Sequence, residues 1–226
     1  TLAVNANSID FLKQLGLWND LKSNPQPIDK ILIKDDINIQ PLVFENEQET
    51  MGNVIFNREL NNLVRKKLVN LKILKTNINI EMGEISPNKI FYMDKKNYLF
   101  KKIIISMGKN IISNKYHKTI VFDQQHHSFV GFFQHAKDHK NTAYEFFTHD
   151  GPLAILPAPA LNKKKSTFIY SSREETNKNQ LQKLIKKKII NTHGKLIFDQ
   201  SLSKFPITPH LTKKNEKFIY IGDSLK

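Results

Sequence analysis

Histidine is the first residue type in this chain to cluster as chemistry would require. His126, His127, His135, His139 and His149 lie near one another with Asp138 and Asp150 among them. On a helix, His135 and His139 would share a face, and an HxxxH pair beside a carboxylate is a zinc-ligand spacing. The surrounding pattern reads as strand and turn, however, and the position after His135, where a zinc protease carries its glutamate, is Ala136. These histidines therefore read as ordinary titratable groups, and no metal is expected. Glu145 and Asp150 could form an acid and base pair, although nothing in their spacing demands it. Ser128 and Ser166 stand in no nucleophile motif. The chain has no cysteine, which removes disulfides, thiolate metal sites and thiol nucleophiles. No side chain is assigned as a catalytic acid, base or nucleophile.

A second stretch stands out by what it lacks. Ala143 to Pro159, AYEFFTHDGPLAILPAP, holds no lysine in a chain with 35 Lys and Arg against 21 Asp and Glu. It starts acidic and aromatic, then turns apolar between prolines, as a strand bordering a pocket would. The net charge of +14 points toward nucleic acid, but the only arginines are Arg58, Arg65 and Arg173. Bidentate base and phosphate contacts are mainly arginine work, so no nucleic-acid partner is expected. Lysine, asparagine and isoleucine all have A/T-rich codons, and genome composition accounts for their joint abundance. The runs Lys163 to Lys165 and Lys186 to Lys188 read as solvated faces, with an anionic lipid or RNA contact as the alternative.

The elements that must position these groups give a mixed pattern. The 226 residues suffice for one large domain or two modest ones. No apolar run approaches the roughly 20 residues of a membrane span, and the start lacks a signal-peptide layout, so a soluble, cytoplasmic protein is expected. Ser8 is the expected cap of a helix bearing Ile9, Leu12, Leu15 and Leu17, stopped near Gly16. Lys30 to Lys34 and Ile37 to Phe44 predict a hairpin, and Asn57 to Lys75 a helix with Leu60, Val64, Leu68 and Leu71 on one face. Strands are expected at Ile78 to Met82, Lys89 to Met93, Tyr98 to Ser106, Lys118 to Phe133, Ala143 to Thr148, Leu153 to Leu156 and Thr167 to Ser171. Glu174 to Lys188 is an expected amphipathic helix. The fold class is α+β around an antiparallel sheet.

Four stretches carry a resemblance. His139 to Pro157, with Tyr144, Glu145, Phe147, Thr148 and DGPLAILP, resembles the signature strand pair of the FAD-dependent hydroxylases of ubiquinone biosynthesis. SIDFLKQLGLW resembles the family's helix beyond its dinucleotide-binding unit, MGNVIFNREL the approach to the helix over the flavin, and FIYIGDS the strand and Gly-Asp that meet FAD. The resemblance implies an FAD domain interleaved with a substrate domain whose sheet roofs the flavin. A nicotinamide, NADH or NADPH, reduces the flavin, and oxygen passes to the ring of a polyprenylated phenol. By that resemblance, residues 1–22, 56–113 and 211–226 are remnants of the FAD domain, and 23–55 with 114–210 form the substrate-binding sheet. Arg58, Gly108, Gly222 and Asp223 are the implied cofactor-binding residues, while Phe147, Pro152, Leu153 and Pro157 border the substrate pocket.

The departures bear on activity. No Gly-x-Gly-x-x-Gly occurs, so the βαβ unit that grips the ADP diphosphate is expected to be missing. Met107 stands where the family's Asp-Gly aspartate would be, and Phe146 replaces the arginine of the signature. The proline- and glycine-rich flavin loop that follows the Gly-Asp in the family is expected to be missing after Gly222-Asp223. The expectation is a truncated piece of such a monooxygenase, inactive alone and without a full grip on FAD. The alternative is a noncatalytic module that contacts other ubiquinone-biosynthesis proteins or an anionic surface, peripheral to the inner membrane.

Overall fold

The computed structural model describes residues 1–37, 40–46, 49–76, 80, 85–86, 89–92, 96–106, 118–121, 126–207, 210–213 and 218–222. In chain order the elements are β1 (Leu2–Val4), α1 (Ala6–Gln14), β2 (Gln26–Ile28), β3 (Lys30–Asp35), β4 (Leu42–Glu45), β5 (Gly52–Ile55) and α2 (Asn57–Asn70). Next come β6 (Ile85–Ser86), β7 (Lys89–Tyr92), β8 (Lys96–Leu99), β9 (Ile104–Ile105), β10 (Lys118–Val121), β11 (His126–His135), β12 (Thr142–Thr148), β13 (Gly151–Pro157) and β14 (Lys165–Ser172). The chain continues through α3 (Lys178–His193), β15 (Leu196–Ile207), β16 (His210–Lys213) and β17 (Ile219–Tyr220). It divides into two compact units, Thr1–Ile73 with His126–Pro206 and Leu74–Gln125 with Ile207–Lys226.

The first unit is built on a seven-stranded sheet in the order β15-β11-β14-β13-β12-β3-β4. The pairs β11–β14, β14–β13 and β13–β12 are antiparallel, and β3 joins β12 in parallel. Alternation along these strands sends Phe129, Phe133, Tyr144, Phe146, Leu153, Ile155, Phe168 and Tyr170 to one face, where all are buried. Helix α3 covers that face with Leu181, Ile185 and Ile189, four residues apart and each at most 1% exposed. Asn177 starts α3 with a capping box: its side chain accepts from Gln180 N, and the Gln180 side chain accepts from Asn177 N. A smaller sheet, β1-β5-β2, and α1 pack around Val4, Ile9 and Ile55.

In the second unit the meander β6-β7-β8, the antiparallel pair β10–β16 and the parallel pair β9–β17 are formed. Ile85, Ile103, Ile105, Phe218 and Tyr220 make its core. Among the described residues, no helix is long and apolar enough to cross a membrane.

The α+β class and the central strands agree with the sequence pattern, and several boundaries need correction. Helix α1 is capped by Asn5, whose Oδ1 accepts from Ser8 N at 2.9 Å, so Ser8 lies inside the first turn. Helix α2 ends at Asn70 and α3 spans Lys178–His193. The expected strand Lys118 to Phe133 is two strands in different units, and Tyr98 to Ser106 divides between β8 and β9. Most of the strand expected at Ile78 to Met82 lies outside the described residues.

Candidate functional site

The face of the large sheet opposite α3 carries one carboxyl in an apolar row. Glu145 alternates with Tyr144 and Phe146 and so points away from α3. Its cross-strand neighbours are Ile33 on β3 and Ala154 on β13, followed by Ile169 on β14 and Val130 on β11. Burial among these side chains raises the Glu145 carboxyl above its ordinary value. In the next row toward one edge, Asp35, Phe147, Pro152 and Ser171 align. The row on the other side, Ile31, Ala143, Leu156 and Thr167, packs in part against Ile28 and Val54.

The four residues read as a pocket border divide between the two faces. Phe147 and Pro152 are opposite one another on β12 and β13 and are exposed, Phe147 by 52%. Leu153 and Pro157 point the other way into buried surroundings, Leu153 within the core under α3. Beyond Pro152 the strand ends frame a cavity of about 550 Å³, lined by His126, His149, Asp150, Gly151, Ser171, Ser172, Arg173 and Glu174 among others. His149 pairs with Asp150 at 2.9 Å, and that carboxylate raises the imidazole above its ordinary value. Gly151 makes this end possible. Its φ is +143°, and a Cβ there would lie 1.9 Å from the Ser171 carbonyl oxygen.

Arg58 lines a second cavity, about 580 Å³, with Lys22, Ser23, Phe56, Glu59, Asn62, Leu63 and Lys66. The cavity borders the start of α2, where Phe56 provides no side-chain cap. Glu59 is engaged elsewhere, accepting from Ser23 Oγ and from the backbone N–H groups of Lys22 and Ser23. Arginine and lysine beside uncapped first-turn N–H groups form a donor set that fits an anionic group such as the FAD diphosphate. Gly222 follows β17 in the second unit, at φ +62° with open space where a Cβ would stand. Gly108 and Asp223, as well as Met107, lie outside the described residues.

The histidines separate rather than converge on a metal. His149 and His126 line the rim cavity, whereas His135 and His139 are buried at the far end of β11. There they meet His193 of α3, which sequence spacing did not single out: ring centroids lie 4.7 Å apart for His135 and His193 and 5.9 Å for His135 and His139. His135 Nδ1 donates to the Lys137 carbonyl at 2.6 Å, leaving Nε2 to accept from Ser166 Oγ at 3.0 Å. Among the described residues no group of three or more His, Asp or Glu can hold a metal ion.

No protein-family model matches the sequence, and no curated protein does. Solved structures match over nearly all of the chain. The flavin-dependent brominase Bmp2 is similar with a TM-score of 0.72 at 10% identity, covering 99% of this chain and 62% of that one. The myxobacterial chondrochloren halogenase CndH, an FAD-dependent halogenase, gives 0.68 at 12%, covering 98% and 59%. The p-nitrophenol 4-monooxygenase PnpA from Pseudomonas putida DLL-E4 gives 0.65 at 10%, covering 99% and 62%. The chain has the fold of flavin-dependent aromatic monooxygenases and halogenases. It spans about three fifths of the length of these proteins. Within this fold, the large sheet has one face covered by α3 and an opposite face on which Glu145 stands in an apolar row, with Asp35 in the next row.

Proposed function

We propose that the chain supplies the ring-binding sheet of an FAD-dependent monooxygenase that hydroxylates a polyprenylated phenol in ubiquinone biosynthesis. The observation that supports this is the sheet face opposite α3, where Glu145 stands between Ile33 and Ala154 in an otherwise apolar row. Bound FAD, reduced by a nicotinamide, supplies the redox chemistry that activates oxygen toward an electron-rich ring. The chain's own part is to bind, orient and keep water away. The Glu145 row, with Phe147 and Pro152 beside it, holds the ring and its prenyl tail. Glu145, when ionised, accepts a hydrogen bond from the ring hydroxyl and draws electron density into the ring. Arg58 and Lys66 hold the anionic part of the cofactor. The signature DGPLAILP and its three companion stretches favour a ubiquinone-type hydroxylase over a halogenase.

The test is a fluorescence titration of the purified chain with FAD, followed by a short prenylated phenol, with circular dichroism to establish folding. Expected is saturable quenching with a Kd on the order of micromolar, weakened about tenfold by Arg58→Ala. The phenol should then bind with an affinity that falls in Glu145→Gln. A folded chain that leaves FAD fluorescence unchanged overturns the reading.

A further inference from the structure

The connection between β13 and β14 ends in a leucine with nothing over it: Leu161 is 100% exposed. A lone exposed leucine is ordinary, but the surroundings of this one are not. Backbone hydrogen bonds knit three connections together at this end of the sheet. His135 N donates to Lys164 O at 3.0 Å, His139 N to Lys163 O at 3.1 Å, and Ala136 N to Lys195 O at 3.1 Å. Lys137 and Lys140 from the first connection, Lys163 and Lys164 from the second and Lys195 from the third are thereby gathered, all exposed. Against these five ammonium groups stand two carboxylates, Asp138 and Asp29, and Asp29 is taken by the Asn141 amide at 2.7 Å.

We infer that this lysine-ringed tip docks the chain on an anionic lipid bilayer, with Leu161 entering the interface and the lysines lying on the headgroups. Charge complementarity selects this occupant. Each lysine near an anionic leaflet contributes binding that adds across the patch, and an apolar side chain among them anchors it in the headgroup region. RNA recognition would call for exposed stacking aromatics or arginine; these connections carry no arginine, and their one aromatic ring, His139, is buried. A protein interface core is depleted of lysine, whereas here lysines stand around the exposed Leu161. The docking does not rest on the flavin reading.

The experiment is co-sedimentation of the purified chain with vesicles of phosphatidylcholine, with and without phosphatidylglycerol, and a parallel titration of a labelled RNA oligomer. Binding should require phosphatidylglycerol and weaken with salt. Combined Lys140→Gln, Lys163→Gln and Lys164→Gln should weaken it on the order of a hundredfold. Leu161→Ser should weaken it by roughly threefold to tenfold. A control with Lys183→Gln, Lys186→Gln and Lys187→Gln on α3 removes the same charge and should bind nearly as the parent does. Equal binding to neutral vesicles, equal loss in the α3 control, full retention in the tip variants, or binding to RNA without binding to vesicles overturns the inference.

Discussion

His135 on β11 and His193 on α3 meet edge to face with ring centroids 4.7 Å apart, and His139 closes on His135 from another side. His139 Nδ1 accepts from Asn141 N–H at 3.1 Å, which puts its proton on a buried Nε2 with no hydrogen-bond partner among the described residues. Burial, and then the neighbouring His135, lowers His139 from 6.5 to about 4. Burial, followed by His135 and His139, lowers His193 to about 3. Protons bind the unfolded chain first, so the stability these histidines contribute is full above pH 6.5 and is lost as pH falls from there through about 4 for His139 and toward about 3 for His193. Urea midpoints on either side of 6.5 should show this loss, and His193→Leu should flatten the profile.

Glu145 has the opposite sign. Its folded carboxyl is raised by burial, so the folded state keeps its proton longer and loses stability as pH rises through that raised value. Glu145→Gln should therefore be the more stable protein at neutral pH, with the difference vanishing below the ordinary carboxylate value. Paired thermal melts at acidic and neutral pH read this directly.

Gly151→Ala should cost about 3–4 kcal/mol, because the left-handed backbone and the 1.9 Å approach to Ser171 O both exclude a Cβ. The melting temperature should drop sharply and the rim cavity should be lost with the β13 terminus. A variant that melts with the parent would show that the strand end can shift freely.

Core and surface leucine-type positions should separate cleanly. Ile185 is fully buried between α3 and the sheet, so Ile185→Ala should cost about 2–5 kcal/mol. Leu161→Ala, at a fully exposed tip, should stay within about 0.5 kcal/mol of the parent in the same denaturant series.

The helix caps give a finer comparison. Asn177→Ala and Asn5→Ala each remove a side-chain acceptor from a helix start and should cost about 1 kcal/mol. Ser8→Ala should be nearly neutral, since Ser8 contributes its backbone N–H and not its hydroxyl to the cap.

Strands β12, β13 and β14 were legible because their alternation is strong and their ends carry Gly151 and Pro157. The cap of α1 was misplaced because Asn5 and Ser8 are both good caps, and only backbone geometry decides between them. The long strand through Lys118 to Phe133 had to be cut because its two halves belong to different cores, which local hydropathy does not encode. Strand β15 gave little signal: it is mostly exposed along Leu196–Ile207 and carries Pro206. In the site, Glu145 was visible as a residue but not as a member of an apolar row, since its neighbours come from strand register across the sheet. His193 was hidden for the same reason, being brought to His135 by the packing of α3 rather than by spacing.

The parallel junction of β3 with β12 also sets an order of events. Lys30 is paired with Thr142, so during synthesis the β3–β4 hairpin leaves the ribosome long before its partner strand exists. Until then Ile31, Leu32 and Ile33 of β3 are held only in a two-stranded ribbon with an open edge. The sheet can start from the sequential antiparallel pairs β12–β13 and β13–β14, and the hairpin must be recruited to it late. The nascent chain therefore depends on whatever shields that early hairpin from other chains until Thr148 has emerged.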